Sequence, residues 1–444
     1  MLKKGIFILF VITCVVLQPI LTQAQVIYEV KPGDSLDKIS KQYSLPLSNL
    51  AKLNGLSNTS QLVIGQSLLI PGHSYYVQPG ESIWEIAYRN SLSEKELMHY
   101  NNIKSKVIRP GQKLSIPDKP KKQIWTGTYF VPKSKNENAW ILQNYNSTLS
   151  SIFVFEYKPD YEGNISDLAE NEAHKIAWKQ NLPPYATLSN LSEKGFDPDL
   201  AHHLMSNKWR RKNLINNIYS LLHNNDYKGV VIDFEQVRLK DRSHLNTFIK
   251  ELAEKLHPAK MEVLMAVPPK QGDKIPSHST AYDYKTLGKY LDKIFLMTYD
   301  WHWPGGPSGP IAPINKVEET VQYATTVIPS SKIMLGIPQY AYDWTMSGDE
   351  RKGRAYSTQH AIDLYIGYRS QINYDLKAAA PYFRYVDKYG ALHEVWFEDP
   401  RSLLRKLKLV REYNLAGIGC WHLGLTMPQT EELIFGEFSI SKIK

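Results

Sequence analysis

The chain of 444 residues reads as an α/β protein. We expect a closed (β/α)8 barrel with a small α+β insertion between strands seven and eight, preceded by two small βααβ modules. Three observations carry this reading. A turn-rich pattern occurs twice before residue 118. From residue 124 onward, eight short apolar runs alternate with amphipathic helical stretches, the signature of parallel βα units. Those runs are continuous rather than alternating, as strands buried on both faces must be. A doubly wound open sheet fits less well, because no glycine-rich phosphate loop follows any strand.

Lys3 and Lys4 open the chain ahead of an apolar run from Gly5 to Leu17, and Thr22 and Ala24 place small residues before a polar segment. This is the layout of a secretory signal over 1–24, shorter in its apolar part than a membrane-spanning helix requires. Cys14 lies inside the apolar run, and Val11, Ile12 and Thr13 before it do not suit lipid attachment. After cleavage Cys420 is the only thiol, so no intramolecular disulfide can form. The expectation is a secreted or wall-associated protein with no stable membrane insertion after signal cleavage and no nucleic-acid partner.

The repeated modules span 25–72 and 73–117. Pro32-Gly33-Asp34-Ser35 recurs as Pro79-Gly80-Glu81-Ser82 at an offset of 47 residues, and Gly65-Gln66-Ser67-Leu68 recurs as Gly111-Gln112-Lys113-Leu114 at an offset of 46. In each copy a short strand meets a Pro-Gly turn, an acid or serine caps a helix, and a second short helix follows. A glycine turn then feeds a last strand that proline ends. These motifs resemble tandem LysM modules. The resemblance implies binding of glycans that contain N-acetylglucosamine, peptidoglycan or chitin. The contacts it implies fall on Gly33, Asp34, Ser35 and Leu36 and on Gly80, Glu81, Ser82 and Ile83. A charged linker, 118–123, leads to the larger domain.

Strands are expected there at 127–131, 151–155, 185–188, 229–234, 262–267, 294–299, 332–337 and 416–421. Helical patterns run over 211–222, 244–256, 317–327 and 402–413. A TIM barrel takes ~250 residues, whereas 124–444 supplies 321. The surplus falls at about 345–400, where Tyr365, Tyr374, 382–386 and 395–397 suggest the α+β insert, overhanging the loop face where barrel active sites lie.

Strand four ends in Ile232-Asp233-Phe234-Glu235. Alternation puts both acids on one face, roughly 7 Å apart along the backbone, and in a barrel that face is the interior near its mouth. Two enclosed carboxyls repel and retain a proton, which supplies a neutral acid for general acid catalysis. Structural acids paired with arginines are the plainer alternative. Phe234 faces the helical layer.

This strand, with Val267-Pro268-Pro269-Lys270, Met297-Thr298-Tyr299-Asp300, Gly305-Gly306-Pro307, Gly336-Ile337-Pro338, Trp396-Phe397-Glu398-Asp399 and Trp421, resembles glycoside hydrolase family 18. The likeness covers 125–444 and is nearest the spore-germination and cortex-lytic branch. It implies that Glu235 protonates the leaving glycosidic oxygen while the substrate's own acetamido carbonyl attacks, an exception to the two-carboxylate scheme. Asp233 would hold the acetamido N–H, Tyr299 would hydrogen-bond its oxygen, Trp421 would floor the sugar, and Asp300 would contact hydroxyls and tune Glu235. Met297, Tyr129 and Gln339 are further implied contacts, and Trp301 and Trp303, following strand six, are candidates to stack on sugar. No metal or cofactor is implied.

The family's fuller motif carries two more acids, where this chain has Lys228 and Val231. A barrel that had lost hydrolysis would remain a sugar-binding lectin, and chitin is the second candidate substrate. Elsewhere the sequence is ordinary: 43% hydrophobic, 22% charged, net +9, a mild basicity that suits an anionic polymer or merely a solvated face. His302 and His422 read as structural hydrogen-bonding histidines, and Cys420, inside an apolar strand, as a buried hydrophobe rather than a nucleophile.

Overall fold

In the computed structural model the described residues are 25–442 apart from 58, 273–277 and 347–352; the expected signal over 1–24 lies outside them. Eight parallel strands close into a barrel: β1 (Lys122–Phe130), β2 (Ser151–Tyr157), β3 (Pro184–Ser189), β4 (Gly229–Asp233), β5 (Glu262–Val267), β6 (Lys293–Leu296), β7 (Ile333–Pro338) and β8 (Gly417–Trp421). Each pairs with its successor, and β8 returns to β1 through Gly417 to Cys420 against Trp125 to Thr128. The eight expected strands and the four expected helices are all present. Strand six stops at Leu296, so Met297 to Asp300 form the loop that leaves it.

The barrel interior is apolar and aromatic: Trp125, Tyr129, Phe153, Tyr185, Val231, Leu264, Ala266, Phe295 and Met334 pack on one another. The outer faces of the strands join the helices in a larger core. There Phe234 stacks on Phe248 of helix Arg242–Leu256, as the alternation of strand four requires.

The insert is a five-stranded antiparallel sheet with helix Thr358–Gly367. Its first strand, Tyr340–Thr345, starts two residues beyond β7, ahead of the expected 345. A strand that follows another strand so closely shows no change of apolar period to mark the boundary. The motif Trp396-Phe397-Glu398-Asp399 has structural tasks: Glu398 is buried against Lys406 at 2.8 Å, and Asp399 caps helix Pro400–Glu412.

Each N-terminal module is βααβ. The first pairs Gln25–Glu29 with Ser67–Pro71, and the second pairs Ser74–Tyr76 with Lys113–Ser115. Asn54 and Asn101, at equivalent positions, each clamp the last strand: Leu69 N–H donates to Asn54 Oδ1 (2.7 Å) and Ser115 N–H to Asn101 Oδ1 (2.6 Å). The apolar cores of the two modules are continuous.

The first module is docked on the barrel and insert. Arg401, 3% exposed, pairs with Asp399 (2.7 Å) and reaches Glu29 (3.0 Å) and the Gly65 carbonyl (3.1 Å) of that module. Glu29 is also faced by Arg89 of the second module at 3.4 Å. Gly65 sits so close to Ile372 that a Cβ would fall 2.1 Å from its carbonyl oxygen, a packing only glycine allows. The segment read as a linker is short for the same reason: β1 already begins at Lys122, and Lys119 approaches Glu437 at 4.0 Å.

Removing Arg401 strands the buried carboxylate of Asp399 and takes from Glu29 one of its three cations, leaving Lys31 and Arg89. Arg401→Ala is therefore expected to cost about 3 kcal/mol and to open 118–121 to protease. A lowered Tm together with faster cleavage there, measured against wild type, checks this.

Candidate active site

Asp233 ends β4 with 3% of its surface exposed, and one carboxylate oxygen, Oδ1, is buried without a hydrogen-bond partner. Directly below it along the strand the interior residue is Val231, wholly buried among aromatic rings. Val231 itself offers Asp233 no polar partner. Burial, the charge of Glu156 from the end of β2, and the nearby Tyr129 phenol acting in the opposite sense leave Asp233 pushed up to about 7. Glu235 is half-buried at the mouth and rises well above the carboxylate range, chiefly from burial and then from the charges of Asp233 and Asp300. Among the described residues neither acid has an arginine or lysine partner within salt-bridge distance: Arg238 pairs with Asp199 (2.6 Å) and Lys228 with Glu262 (3.5 Å). The pair retains a proton into the neutral range.

The backbone that presents Glu235 is held from two sides. Glu235 N–H donates to Asn190 Oδ1 (2.8 Å), and Asn190 Nδ2 donates back to the Glu235 carbonyl (3.0 Å) and to the Asp197 carbonyl (2.9 Å). Tyr282 hydroxyl donates to the Phe234 carbonyl (2.8 Å) and accepts from Val237 N–H (3.4 Å). Between them Gln236 adopts φ 55°, a left-handed conformation that needs such over-determination. Asn190 and Tyr282 are both buried.

Asp300 also has positive φ, 59°. Its Oδ1 accepts from Tyr340 hydroxyl (2.6 Å) and Tyr342 hydroxyl (2.8 Å) of the insert. The residue keeps exposed surface at the mouth but is ringed by protein, and burial raises its carboxyl against the pull of those two phenols. Tyr299 packs edge-on to Tyr340 and Phe295. Burial, then the charges of Asp300, Asp233 and Glu235, keep its hydroxyl protonated and able to donate.

Glu235, Met297, Tyr299, Asp300, Trp301 and Trp303 line one cleft of about 1820 Å3, open enough for several sugar units and flanked by apolar walls. Trp303 is 55% exposed. Trp421 and Tyr129 are not among the residues that line this cleft. Tyr129, expected as a sugar contact, is buried in the barrel interior, and Trp421 is half-buried against it, ring to ring at 5.1 Å, with Phe155 against Trp421 at 4.7 Å. Gln339 is elsewhere: it is buried and accepts from Thr430 hydroxyl (3.2 Å), facing the module interface. His302 and His422 bond to the carbonyls of Pro310 and Leu423. Burial pushes the Cys420 thiol up to about 11, and it packs on Thr128.

Six of the eight module residues lie in two equivalent turns, and Leu36 and Ile83 begin the helices that follow. Gly33 and Gly80 hold φ of 86° and 81° with open space around them. Asp34 accepts from Tyr28 hydroxyl and Lys31 N–H, and Glu81 from Tyr75 hydroxyl and Gln78 N–H, so both acids serve their own turns. Ser35 and Ser82 cap helices, and Leu36 and Ile83 are core.

Sequence reading missed Glu156, Asn190, Tyr282, Tyr340 and Tyr342. A signal existed for three: Glu156 and Asn190 stand at or just past the carboxyl ends of β2 and β3, where barrel sites are built. Tyr340 lies just past β7.

Folded Glu235 holds its proton to a higher pH than unfolded Glu235 does (~4.3). The folded chain thus binds more protons than the unfolded one in that window, and stability falls as pH rises through it. Glu235→Gln is expected to raise Tm near pH 8 and to have no effect near pH 4, read by calorimetry at both. Asn190→Ala is expected to lower kcat roughly 10²-fold with little change in KM, measured on soluble glycan.

Comparison with known proteins agrees with the geometry. Residues 164–425 match the sequence model for Glycosyl hydrolases family 18, and 28–71 and 75–117 each match the LysM domain. YdhD of Bacillus subtilis (strain 168) is 36% identical over 420 residues, covering 94% of this chain and 100% of YdhD. The cortical fragment-lytic enzyme of the same strain is 32% identical over 425 residues, covering 94% and 99%. The crystal structure of the Bacillus cereus spore cortex-lytic enzyme SleL superposes with TM-score 0.86 at 31% identity, covering 94% and 99% of the two chains. The chain thus belongs to glycosyl hydrolase family 18, a glycosidase with two LysM domains at the head of its barrel.

Proposed function

We propose that the chain is an exported hydrolase of peptidoglycan, foremost of the spore cortex, which cleaves β-1,4 bonds after N-acetylglucosamine with retention. The observation that carries this reading is the unpaired, proton-retaining couple of Asp233 and Glu235 beside Tyr299 and Asp300. The cortex-lytic names of its relatives support the choice of polymer.

Glu235 gives its proton to the bridging oxygen as the C–O bond breaks. The acetamido carbonyl of the bound sugar closes on its own anomeric carbon, forming an oxazolinium ion. Asp233, the carboxylate of the pair while the shared proton sits on Glu235, accepts a hydrogen bond from the N–H and balances the positive charge, while Tyr299 donates to the acetamido oxygen. Glu235, now a carboxylate, takes a proton from water, which opens the ring and restores the original configuration. Asp300 tunes Glu235 and contacts hydroxyls. Trp421 floors the sugar and Trp301 and Trp303 stack along the cleft. The LysM domains hold the enzyme on insoluble glycan and raise its local concentration there. No helix among the described residues is long and apolar enough to cross a membrane, and the expected signal over 1–24 supports export to the wall or spore envelope.

Muropeptide analysis of cortex, vegetative wall and chitin digested by wild type and Glu235→Gln tests the reading. New reducing N-acetylglucosamine ends from cortex are expected, falling roughly 10²–10⁴-fold in the variant. Reducing muramic acid ends would make it a muramidase, preference for chitin a chitinase, and wild type equal to the variant a lectin.

A further inference from the structure

We propose that His202, Asp241 and His244 form a site for one divalent transition-metal ion of borderline softness, zinc foremost, behind the loop that walls the cleft. The residues come from three elements: helix Pro198–Ser206, the turn Leu239–Asp241 and the first turn of helix Arg242–Leu256. Their ligating atoms all lie within 4.8 Å of one another. His202 Nδ1 is 2.5 Å and His244 Nδ1 3.1 Å from Asp241 Oδ1.

Hydrogen bonding alone leaves this arrangement incomplete. Both imidazoles converge on Oδ1, while Oδ2 is buried with no partner at all on a side chain only 1% exposed. An ion held between the two nitrogens and the carboxylate, with Oδ2 among its ligands, would give that oxygen its missing partner. Two imidazoles and one carboxylate suit zinc, cobalt or nickel rather than calcium or magnesium, and they leave a fourth tetrahedral position for water. The imidazoles are 29% and 38% exposed, so the ion has a route in. The neighbouring charges are otherwise engaged: Arg238 with Asp199, and His203 Nδ1 with the Asp199 carbonyl.

The site is structural, not part of the hydrolytic chemistry. Leu239 and Arg238, just before Asp241, line the cleft, and helix Pro198–Ser206 begins after Asp197, whose carbonyl Asn190 holds together with Glu235. An ion at Asp241 would brace this cleft wall from behind.

Titration of the full chain with Zn2+ by calorimetry, with Co2+ as a spectroscopic reporter, tests the site. A single equivalent is expected to bind and to raise Tm. His202→Ala and His244→Ala are each expected to weaken binding at least about tenfold, whereas His203→Ala and Glu235→Gln bind as wild type does. The last variant separates this site from the hydrolase reading. Absence of binding to wild type, or unchanged affinity in the His202→Ala, His244→Ala double variant, overturns the proposal. Unfolding of the metal-free variants is monitored by circular dichroism, so a lost site is told from a lost fold.

Discussion

Two carboxyls are held where an apolar barrel opens at its mouth, and the rest of the site answers to that constraint. Burying one carboxylate without a partner costs several kcal/mol, and a second nearby raises the cost through repulsion. With Val231 and a floor of aromatic rings beneath, no counter-charge can be supplied from inside. The least costly state keeps a proton on the pair, which is the state an acid catalyst needs before it acts. The surrounding groups then fix geometry rather than cancel charge: Asn190 and Tyr282 grip the backbone of 234–237, and two insert tyrosines grip Asp300.

The insert thereby gains a definite role. Its first strand carries Tyr340 and Tyr342 on one face, two residues apart, so both hydroxyls reach the same carboxylate oxygen. The strand's other face presents Ala341 to the insert core, which also takes in Val63 of the first LysM domain. The first LysM domain, the insert and Asp300 are therefore linked through packed side chains and hydrogen bonds. Arg401, bonded to Asp399, Glu29 and Gly65 at once, pins the anchor to the barrel.

The barrel was legible because its strands are uniformly apolar, and the modules were legible because they repeat. The placement of Asp233, Glu235, Tyr299 and Asp300 near one another was legible because each stands at or just past a strand end. Tyr282 was not, and the one signal for Asn190 was its place just past β3. They act on Glu235 from 45 residues before and on Phe234 from 48 residues after, and nothing in a one-dimensional pattern marks a backbone clamp. Gln339 misled for a related reason: it follows β7, yet its side chain turns away to Thr430. At the module turns, Asp34 and Glu81 look like ligand contacts in sequence but already accept hydrogen bonds from their own modules.

What the sequence by itself determined was therefore local and periodic: eight apolar runs, two copies of one small module, and two acids on the same face of one strand. Those follow from hydrophobic period and backbone alternation, which neighbouring residues set without help from the rest of the chain. Tertiary structure alone decided how hard Glu235 holds its proton, which carbonyls and hydroxyls hold it in place, and how the glycan anchor is joined to the barrel. Each of these depends on distances between groups far apart in the chain, and only closure of the barrel brings them into contact.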